Sequence, residues 1–371
     1  MPTFSERLLT WQRQHGRHHL PWSQTRDPYR VWLSEIMLQQ TQVSTVLGYY
    51  ARFLERFPSV QDLADAPDDL VMSLWAGLGY YSRARNLHRC AQAVVAQHGG
   101  RFPTTAAELA TLPGIGPSTA AAIASFCFGQ RVSIMDGNVQ RVLTRVLGHG
   151  EDMAQAKAVK ALWRLADGLV PDASADMPAY TQGLMDLGAG VCTPRKPQCG
   201  QCPMQDCCVA HQSGDPLAYP VKTRKLKRGT RESWGVWLEE DGWIWMEPRD
   251  KEGIWGGLWT FPLGDSPEAA LAWAEAAVAA SGSASLDWQV EAQPSQKHVL
   301  THLDWRLHAT RWQRTSSARA PSLSSPGSRA MSPQAPCWSP APMTGTGRWF
   351  CLATLASEIG LPRPFQGWLG M

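Results

Sequence analysis

A single carboxylate stands in an otherwise apolar stretch near the start of the chain. Glu35 follows Trp32 and precedes Ile36 and Leu38 in the segment VWLSEIML, which we predict to begin a helix. Apolar neighbours exclude water from a carboxyl group, which raises its pKa and lets it hold a proton near neutral pH. The stretch therefore suits a general acid. An exposed glutamate on an ordinary helix is the alternative, and the segment alone leaves both open.

A glycine turn before a helix start is the second feature that could do chemistry. Leu112, Gly114 and Gly116 lie in LPGIG, and PSTAAAI follows. The glycines leave backbone N–H groups uncovered, and a helix beginning at Pro117 points the positive end of its dipole the same way. A helix-hairpin-helix binds a DNA phosphate in this manner. The alternative is a turn between two packed helices, and the glycine turn alone leaves both open.

Four of the nine cysteines follow the spacing of a metal or cluster site. The order C-x6-C-x2-C-x5-C is given by Cys192, Cys199, Cys202 and Cys208, with Cys207 as an alternative to the last of them. An odd number of cysteines crowded into one segment argues against a disulfide framework and for metal ligation. Four thiolates suit either tetrahedral zinc or a 4Fe-4S cluster, so the residues alone leave both open.

The composition narrows the class of protein. The chain has 371 residues, of which 44% are hydrophobic and 18% charged, and this length suffices for more than one domain. No apolar run approaches the roughly 20 residues of a membrane span, and the first segment lacks the apolar core of a secretory signal. We therefore expect a cytoplasmic protein. A monomer is the default expectation for its oligomeric state. The net charge of +3 permits a nucleic-acid partner without requiring one.

Hydrophobic periodicity divides the chain into two regions. Up to residue 210 apolar residues recur at helical spacing, which predicts an all-α domain. A basic linker over 211–230 follows. From 231 to 371 we predict a smaller α+β domain, with a hairpin turning at Asp241-Gly242 and a helix over Pro267–Ala280. Its stretch 315–347 contains no Asp or Glu and is rich in Ser, Pro, Ala and Arg, which predicts a disordered insertion or a diverged segment.

Several of these segments resemble one known family. The blocks LSEIMLQQTQV, GLGYYSRARNLH, LPGIGPSTA with MDGNV, and the four-cysteine loop are similar to those of the adenine DNA glycosylases of the MutY family, within the endonuclease III superfamily. The resemblance covers nearly the whole chain except 315–347. It implies an all-α glycosylase domain with a helix-hairpin-helix at 112–123 and a 4Fe-4S cluster loop at 192–208, followed by a Nudix-like domain.

The resemblance also implies roles for the catalytic groups. Glu35 would protonate adenine as the general acid, and Asp136 would stabilise the oxocarbenium-like sugar. Ser118 occupies the position of the lysine nucleophile of strand-cutting members. Because Schiff-base chemistry requires a primary amine, we expect base removal without efficient strand cleavage. Ser118 and Asn138 are expected to support the catalytic pair. The four cysteines of the loop would hold the cluster, which we expect to dock DNA rather than to perform redox chemistry.

Further residues match the DNA-reading positions of the family. Gln40 and Tyr80 correspond to residues that enter the base stack when adenine is flipped out. The recognition loop F-S-H, which senses 8-oxoguanine opposite adenine, is matched by Leu300, Thr301 and His302. Thr301 keeps the hydroxyl, whereas Leu300 replaces an aromatic residue.

The resemblance implies a monofunctional glycosylase that removes adenine opposite 8-oxoguanine or guanine in duplex DNA. A bifunctional glycosylase/lyase shares the hairpin, Asp136 and the cluster, but Ser118 and the C-terminal domain speak against it. A non-catalytic iron-sulfur protein that binds DNA has no need for Glu35 beside QQT. A Nudix hydrolase is disfavoured because Glu268 and Glu275 stand alone on their predicted helix, without the R-E-x-x-E-E pattern that binds magnesium.

Overall fold

The computed structural model describes residues 2–223, 227–250, 252–281, 287–314 and 346–371. Contacts divide the chain into a first unit, Met1–Ala66 with Arg83–Lys225, and a second unit, Pro67–Ser82 with Leu226–Met371. The domain boundaries drawn at 210 and 231 stay a prediction. Most of the low-complexity stretch, 315–345, and residues 224–226 of the basic run lie outside the described residues. Within the described ranges, no helix is long and apolar enough to cross a membrane.

The helices account for the whole first unit and for part of the second. In chain order they are α1 (Phe4–His15), α2 (Pro28–Leu38), α3 (Val43–Arg56), α4 (Val60–Ala64), α5 (Asp68–Trp75), α6 (Ser82–His98), α7 (Ala106–Leu109), α8 (Pro117–Phe128), α9 (Gly137–Leu147), α10 (Ala156–Asp167), α11 (Met177–Asp186), α12 (Val209–Gln212), α13 (Pro267–Ala280), α14 (Leu355–Glu358) and α15 (Arg363–Leu369). Single 3-10 turns at Pro21–Gln24, Ser174–Asp176, Cys199–Gln201, Gln205–Cys207 and Pro216–Ala218, and a π-helix at Leu187–Val191, connect them.

Local sequence fixes where several helices of the first unit begin. Thr3 forms a capping box with Glu6 at the start of α1, and Asp27 accepts a hydrogen bond from the Tyr29 N–H ahead of α2. Each such cap satisfies a backbone donor that the helix leaves unpaired. Helix α2 packs on α3 and α8, and α1 and α8 both pack on α11. Fully buried side chains fill this core, namely Leu8, Trp32, Leu33, Met37, Phe53, Phe57 and Tyr180.

The second unit is built on one mixed sheet. Its strands are β1 (Gly229–Glu240), β2 (Trp243–Pro248), β3 (Trp259–Thr260), β4 (Leu263–Gly264), β5 (Gln289–Val299), β6 (Leu303–Arg314) and β7 (Arg348–Cys351). The order is β3-β2-β1-β6-β5, with β4 on β1 and β7 on β2. β1 and β2 form the predicted hairpin, with Asp241 and Gly242 both at positive φ, whereas β1 and β6 are parallel. The predicted change from an all-α to an α+β region is thereby confirmed.

Helix α13 covers one face of this sheet. Its small side chains Ala270, Ala274 and Ala277 are buried against the sheet together with Trp245 and Trp312. Small residues let a helix approach a sheet closely, and the tryptophans fill the space between them. The predicted span of this helix, Pro267–Ala280, is confirmed, with Ser266 as its N-cap. In the same unit α5 packs against α14, so that a short segment from early in the chain shares the core of the C-terminal region.

Candidate functional site

Glu35 lies near the C-terminal end of α2, with its neighbours Ser34 and Ile36 buried in the helical core. The Glu35 side chain is partly buried. Burial first, and the negative charge of Asp136 second, raise the pKa of Glu35 to about 8. A carboxyl group with this pKa carries its proton at neutral pH and can donate it. The interaction with Asp136 also indicates that the two predicted carboxyl groups face a common region.

Asp136 is the N-cap of α9, where its Oδ1 accepts a hydrogen bond from the Val139 N–H at 2.7 Å. The positive end of the helix dipole favours a negative charge at this point. One residue earlier, the Met135 N–H donates to Ser118 Oγ at 3.1 Å. Ser118 on α8 thus holds the segment that leads into Asp136, which is a supporting position beside the carboxylate.

Asn138, in the first turn of α9, is engaged inside the protein. Its Oδ1 accepts a hydrogen bond from Arg141 Nη2 at 2.8 Å, and the same Nη2 donates to the Gly188 carbonyl at 2.7 Å. A Cβ atom at Gly188 would lie 2.7 Å from the Asn138 Cβ, so the two backbones approach each other closely there. Asn138 therefore supports the start of α9, the helix that Asp136 caps, through Arg141.

Together these residues place two carboxyl groups in different electrostatic surroundings. Glu35 is neutral because burial disfavours its charge, whereas Asp136 lies where a helix N-terminus favours charge. Pairs of this kind divide the work of acid and electrostatic stabiliser at one bond. The arrangement can protonate a leaving group and stabilise positive charge on the group left behind.

The predicted helix-hairpin-helix is formed by α7, the glycine turn and α8. Leu112 and Ile115 point into the core, and the Ile115 N–H donates to the Leu112 carbonyl at 3.2 Å. Gly114 has φ +73°, and a Cβ there would lie 2.5 Å from Asn86 Cβ, so only glycine fits without rearrangement. Gly116, the N-cap of α8, and Gly114 are both exposed. The turn therefore presents backbone to solvent at the N-terminus of a twelve-residue helix, as an anion site requires.

The loop after α2 carries Gln40, which is exposed and has φ +58°. A buried residue that the sequence analysis missed, Arg83, holds this loop. Its Nη1 donates to the carbonyls of Ile36, Met37 and Gln39 at 2.6–2.9 Å, and its Nη2 donates to the Thr41 side chain. Arg83 thereby satisfies the last carbonyls of α2 and fixes the backbone on both sides of Gln40. The only signal in the sequence was its place in the block GLGYYSRARNLH.

Tyr80 also has a left-handed backbone, with φ +49°, and its side chain is 44% exposed. Neighbouring residues fix its turn, since Trp75 Nε1 donates to the Gly79 carbonyl at 3.1 Å and the Gly77 N–H donates to Tyr81 Oη at 3.3 Å. Positive φ is uncommon for a residue with a large side chain and persists where surrounding contacts determine it. Gln40 and Tyr80, the two residues predicted to enter the base stack, therefore lie in strained, exposed turns.

Leu300, Thr301 and His302 form the tip of the β5–β6 hairpin. The Leu300 N–H donates to the Leu303 carbonyl at 2.8 Å and closes the turn, while Thr301 and His302 are exposed. Within this second unit, Thr301 Oγ1 lies 2.7 Å from Tyr80 Oη in a hydrogen bond that either hydroxyl can donate. The structure thus brings together two residues that the sequence analysis assigned to separate tasks.

The four cysteines of the predicted set line one small cavity. Arg145, buried on α9, donates from Nη1 to Cys192 Sγ at 3.3 Å and to the Thr193 carbonyl at 2.8 Å. Cys208 Sγ donates to the Arg145 carbonyl at 3.4 Å. Cys207 instead is exposed and does not line the cavity. The geometry therefore separates Cys208 from its sequence neighbour.

The chemistry of this donor set fits an iron-sulfur cluster. Burial raises the pKa of Cys202 to about 12, so a positive metal ion would favour loss of this proton. Among the described residues, no group of three or more His, Cys, Asp or Glu side chains is arranged to hold a single metal ion. Arg195 and Lys196 lie exposed in the same loop.

Comparisons with known proteins agree with this geometry. Residues 33–167 match the model of the HhH-GPD superfamily base excision DNA repair proteins, residues 192–208 that of the iron-sulfur binding domain of endonuclease III, and residues 233–369 that of the NUDIX domain. An adenine DNA glycosylase of Buchnera aphidicola is 37% identical over 270 residues, which cover 73% of this chain and 77% of the relative. The human adenine DNA glycosylase is 47% identical over 218 residues, 56% of this chain and 39% of that protein.

A solved structure supports the same class. The structure of a thermostable thymine-DNA glycosylase aligns with a TM-score of 0.52 and 32% identity, over 57% of this chain and 95% of its own. The helical unit, its hairpin and its cysteine loop therefore define a helix-hairpin-helix glycosylase of base excision DNA repair. Within that class, the chain belongs to the adenine DNA glycosylase family. It is an N-glycosyl hydrolase with a 4Fe-4S cluster as cofactor and a Nudix-like C-terminal domain.

Proposed function

We propose that this enzyme removes adenine mispaired with 8-oxoguanine or guanine in duplex DNA, without cutting the strand. The observation that carries the proposal is the carboxyl pair, in which burial raises the pKa of Glu35 to about 8 and Asp136 caps α9. The curated relatives at 37–47% identity are named adenine DNA glycosylase, which supports adenine as the base that is released.

In the proposed reaction Glu35 donates its proton to a ring nitrogen of adenine, and the N-glycosidic bond breaks as adenine takes the bonding electrons. Asp136 stabilises the positive charge that develops on the sugar. Water then adds at the sugar carbon, where its oxygen remains as a hydroxyl group. The proton that water loses goes to a carboxylate of the pair. Ser118 and Asn138 hold the start of α9 and the segment before it, which keeps Asp136 in position.

Base release requires that adenine leave the duplex, which leaves a gap in the stack. Gln40 and Tyr80 are exposed side chains on fixed turns, and we assign them to fill that gap. The glycine turn at Leu112, Gly114 and Gly116 would bind a backbone phosphate. The hairpin tip of Leu300, Thr301 and His302 would read the base opposite adenine.

Cys192, Cys199, Cys202 and Cys208 are the proposed cluster ligands, because they share one cavity. Bound at these cysteines, a cluster would fix the loop that carries Arg195 and Lys196, whose cations would contact phosphates. Cys207 offers a matched control. Cys208→Ala is expected to lose the visible absorbance of the cluster and Cys207→Ala to keep it; the reverse result would reassign the fourth ligand.

Single-turnover release of adenine tests the proposed function. Duplexes carry adenine opposite 8-oxoguanine, guanine or thymine, and each product is divided between samples with and without alkali. We expect release opposite the first two partners only, with strand breaks only after alkali. Breaks without alkali would indicate a bifunctional enzyme. Tight binding without release would indicate a non-catalytic DNA-binding protein.

A further inference from the structure

The hydrogen bond between Tyr80 and Thr301 joins two proposed DNA-reading positions that are 221 residues apart in the chain. Its length of 2.7 Å lies at the usual value for two hydroxyl groups. Intercalation needs only the ring of Tyr80, because stacking is a property of the aromatic face. The hydroxyl therefore has a separate partner, and that partner is the hydroxyl of the hairpin tip.

The turn that carries Tyr80 is anchored to the same compact unit as the hairpin. Upstream of the turn, Trp259 Nε1 donates to Asp69 Oδ1 at 3.5 Å, and a Cβ at Gly360 would lie 3.0 Å from the Met72 carbonyl, so α5 packs tightly there. Trp75, at the end of α5, is fully buried and donates to the Gly79 carbonyl. Tyr80 thus extends from a rigid base.

The hairpin tip, by contrast, has few side-chain contacts to fix it. Outside its own backbone turn, the described hydrogen bonds to the tip are the Gly229 N–H to the His302 carbonyl at 2.9 Å, Arg228 Nη2 to the Leu300 carbonyl at 3.0 Å, and the bond between Tyr80 and Thr301. The strand that leads into it, β5, carries a register shift between Gln293 and Gln296. Among the described residues, the hydrogen bond with Tyr80 is the one that reaches the Thr301 side chain, so it sets the direction of that hydroxyl.

We propose that Tyr80, through its hydroxyl, is a positioning residue for Thr301. The turn that carries Tyr80 and the hairpin tip then act together to discriminate 8-oxoguanine from guanine. This inference rests on the proposed function. The Tyr80 side chain then has two tasks. Its ring fills the gap in the base stack, and its hydroxyl orients the group that reads the opposite base. A hydroxyl held in one direction loses less freedom when it binds a ligand, which favours the base whose hydrogen-bonding edge fits that direction.

The test is a double-mutant cycle on selectivity. Tyr80→Phe keeps the ring and removes the hydroxyl, and Thr301→Val removes the partner hydroxyl at nearly constant shape. For each variant and the double variant, the ratio of single-turnover adenine release opposite 8-oxoguanine to that opposite guanine is measured. One hydrogen bond corresponds to a change of about 3–10-fold in such a ratio. We expect Tyr80→Phe to lower the ratio by this factor and the double variant to be no worse than Thr301→Val.

Two further variants separate positioning from folding. Thr301→Ser keeps a hydroxyl and is expected to keep the ratio. Thr310→Val removes a hydroxyl from β6, away from the tip, and is expected to leave the ratio unchanged. Thermal unfolding is compared for all variants. An unaltered ratio in Tyr80→Phe, or fully additive losses in the double variant, would overturn the inference. If the unmodified enzyme releases no adenine opposite either partner, the proposed function fails first, before any variant is compared.

Discussion

The carboxyl pair and the hairpin tip solve opposite problems. Glu35 and Asp136 come from distant parts of the chain and are partly buried. Burial raises the pKa of Glu35, and Asp136 lies at a helix N-terminus. Leu300, Thr301 and His302 are consecutive, and the last two are exposed at a turn. Chemistry needs a fixed electrostatic environment, whereas reading a base needs accessible groups.

This difference predicts two kinds of mutational effect. Changes to the carboxyl pair should lower the rate of bond cleavage by large factors and leave DNA affinity nearly intact. Changes to the tip should alter the ratio between mispairs by small factors and leave the chemistry intact. The following predictions test that division, beginning with the largest effect.

Glu35→Gln removes the transferable proton and keeps the shape of the side chain. General acids contribute about 10²–10⁴-fold to a rate, and adenine is a poor leaving group without protonation, so single-turnover release should fall by about 10³-fold or more. Affinity for the adenine:8-oxoguanine duplex, measured by fluorescence anisotropy, should change little. Loss of binding comparable to the loss of release would contradict the assignment of Glu35 to the chemical step.

Asp136→Asn removes a charge and keeps a good N-cap, because Asn caps helices about as well as Asp. Release should fall by about 10²–10³-fold, the typical loss when a charge that stabilises the transition state is removed. The melting temperature should stay close to that of the unmodified enzyme. Asp136→Ala is the matched control for the cap and should lower the melting temperature as well. Equal rates for Asn and Asp would remove Asp136 from the mechanism.

The pH dependence of release should report the Glu35 pKa of about 8. The folded enzyme holds this proton more tightly than an unshifted glutamic acid, so the acid is active up to that pKa. Above it, the rate should fall about tenfold per pH unit as the proton is lost. Single-turnover rates between pH 6 and pH 10, with circular dichroism at each pH as a control for unfolding, measure this. A midpoint near the ordinary pKa of glutamate would show that the carboxyl is not buried as described.

Much of the scaffold of the carboxyl pair was readable from the sequence because helix starts are local signals. Gly116-Pro117 and Asp136-Gly137 each begin a helix at the position that cap chemistry dictates. The cysteine spacing likewise identified the loop whose members share a cavity. Such signals need only a few neighbouring residues, which is why they survive without knowledge of the tertiary structure.

The surroundings of the residues assigned to reading DNA, namely Gln40, Tyr80 and the hairpin tip, were predicted less completely because their contacts are non-local. The pairing of β1 with β6 joins Gly229 to Leu303, and no local pattern specifies a partner at that distance. The sequence analysis missed Arg83, whose guanidinium is buried against backbone carbonyls. The bond from Tyr80 to Thr301 could not be foreseen either, because the sequence assigns each residue a role but not a partner.

Leu300→Phe is expected to have the smallest effect. It adds an aromatic ring to the hairpin tip and leaves the carboxyl pair unchanged. Leu300 is partly exposed. In its predicted match to the F-S-H loop it takes the place of an aromatic residue, which would supply a stacking face. Stacking of one base on an aromatic ring is worth about 1–3 kcal/mol at a well-formed contact, and an exposed tip should realise the lower part of this range. Affinity for the duplex with 8-oxoguanine should rise about fivefold, while the rate of the chemical step should stay unchanged. Val299→Phe places the same ring on the neighbouring residue, which is 58% exposed, and controls for general hydrophobic contact. Equal gains from both variants would mean that the ring binds DNA without reading the base, and a change in the chemical step would break the division of labour between tip and carboxyl pair.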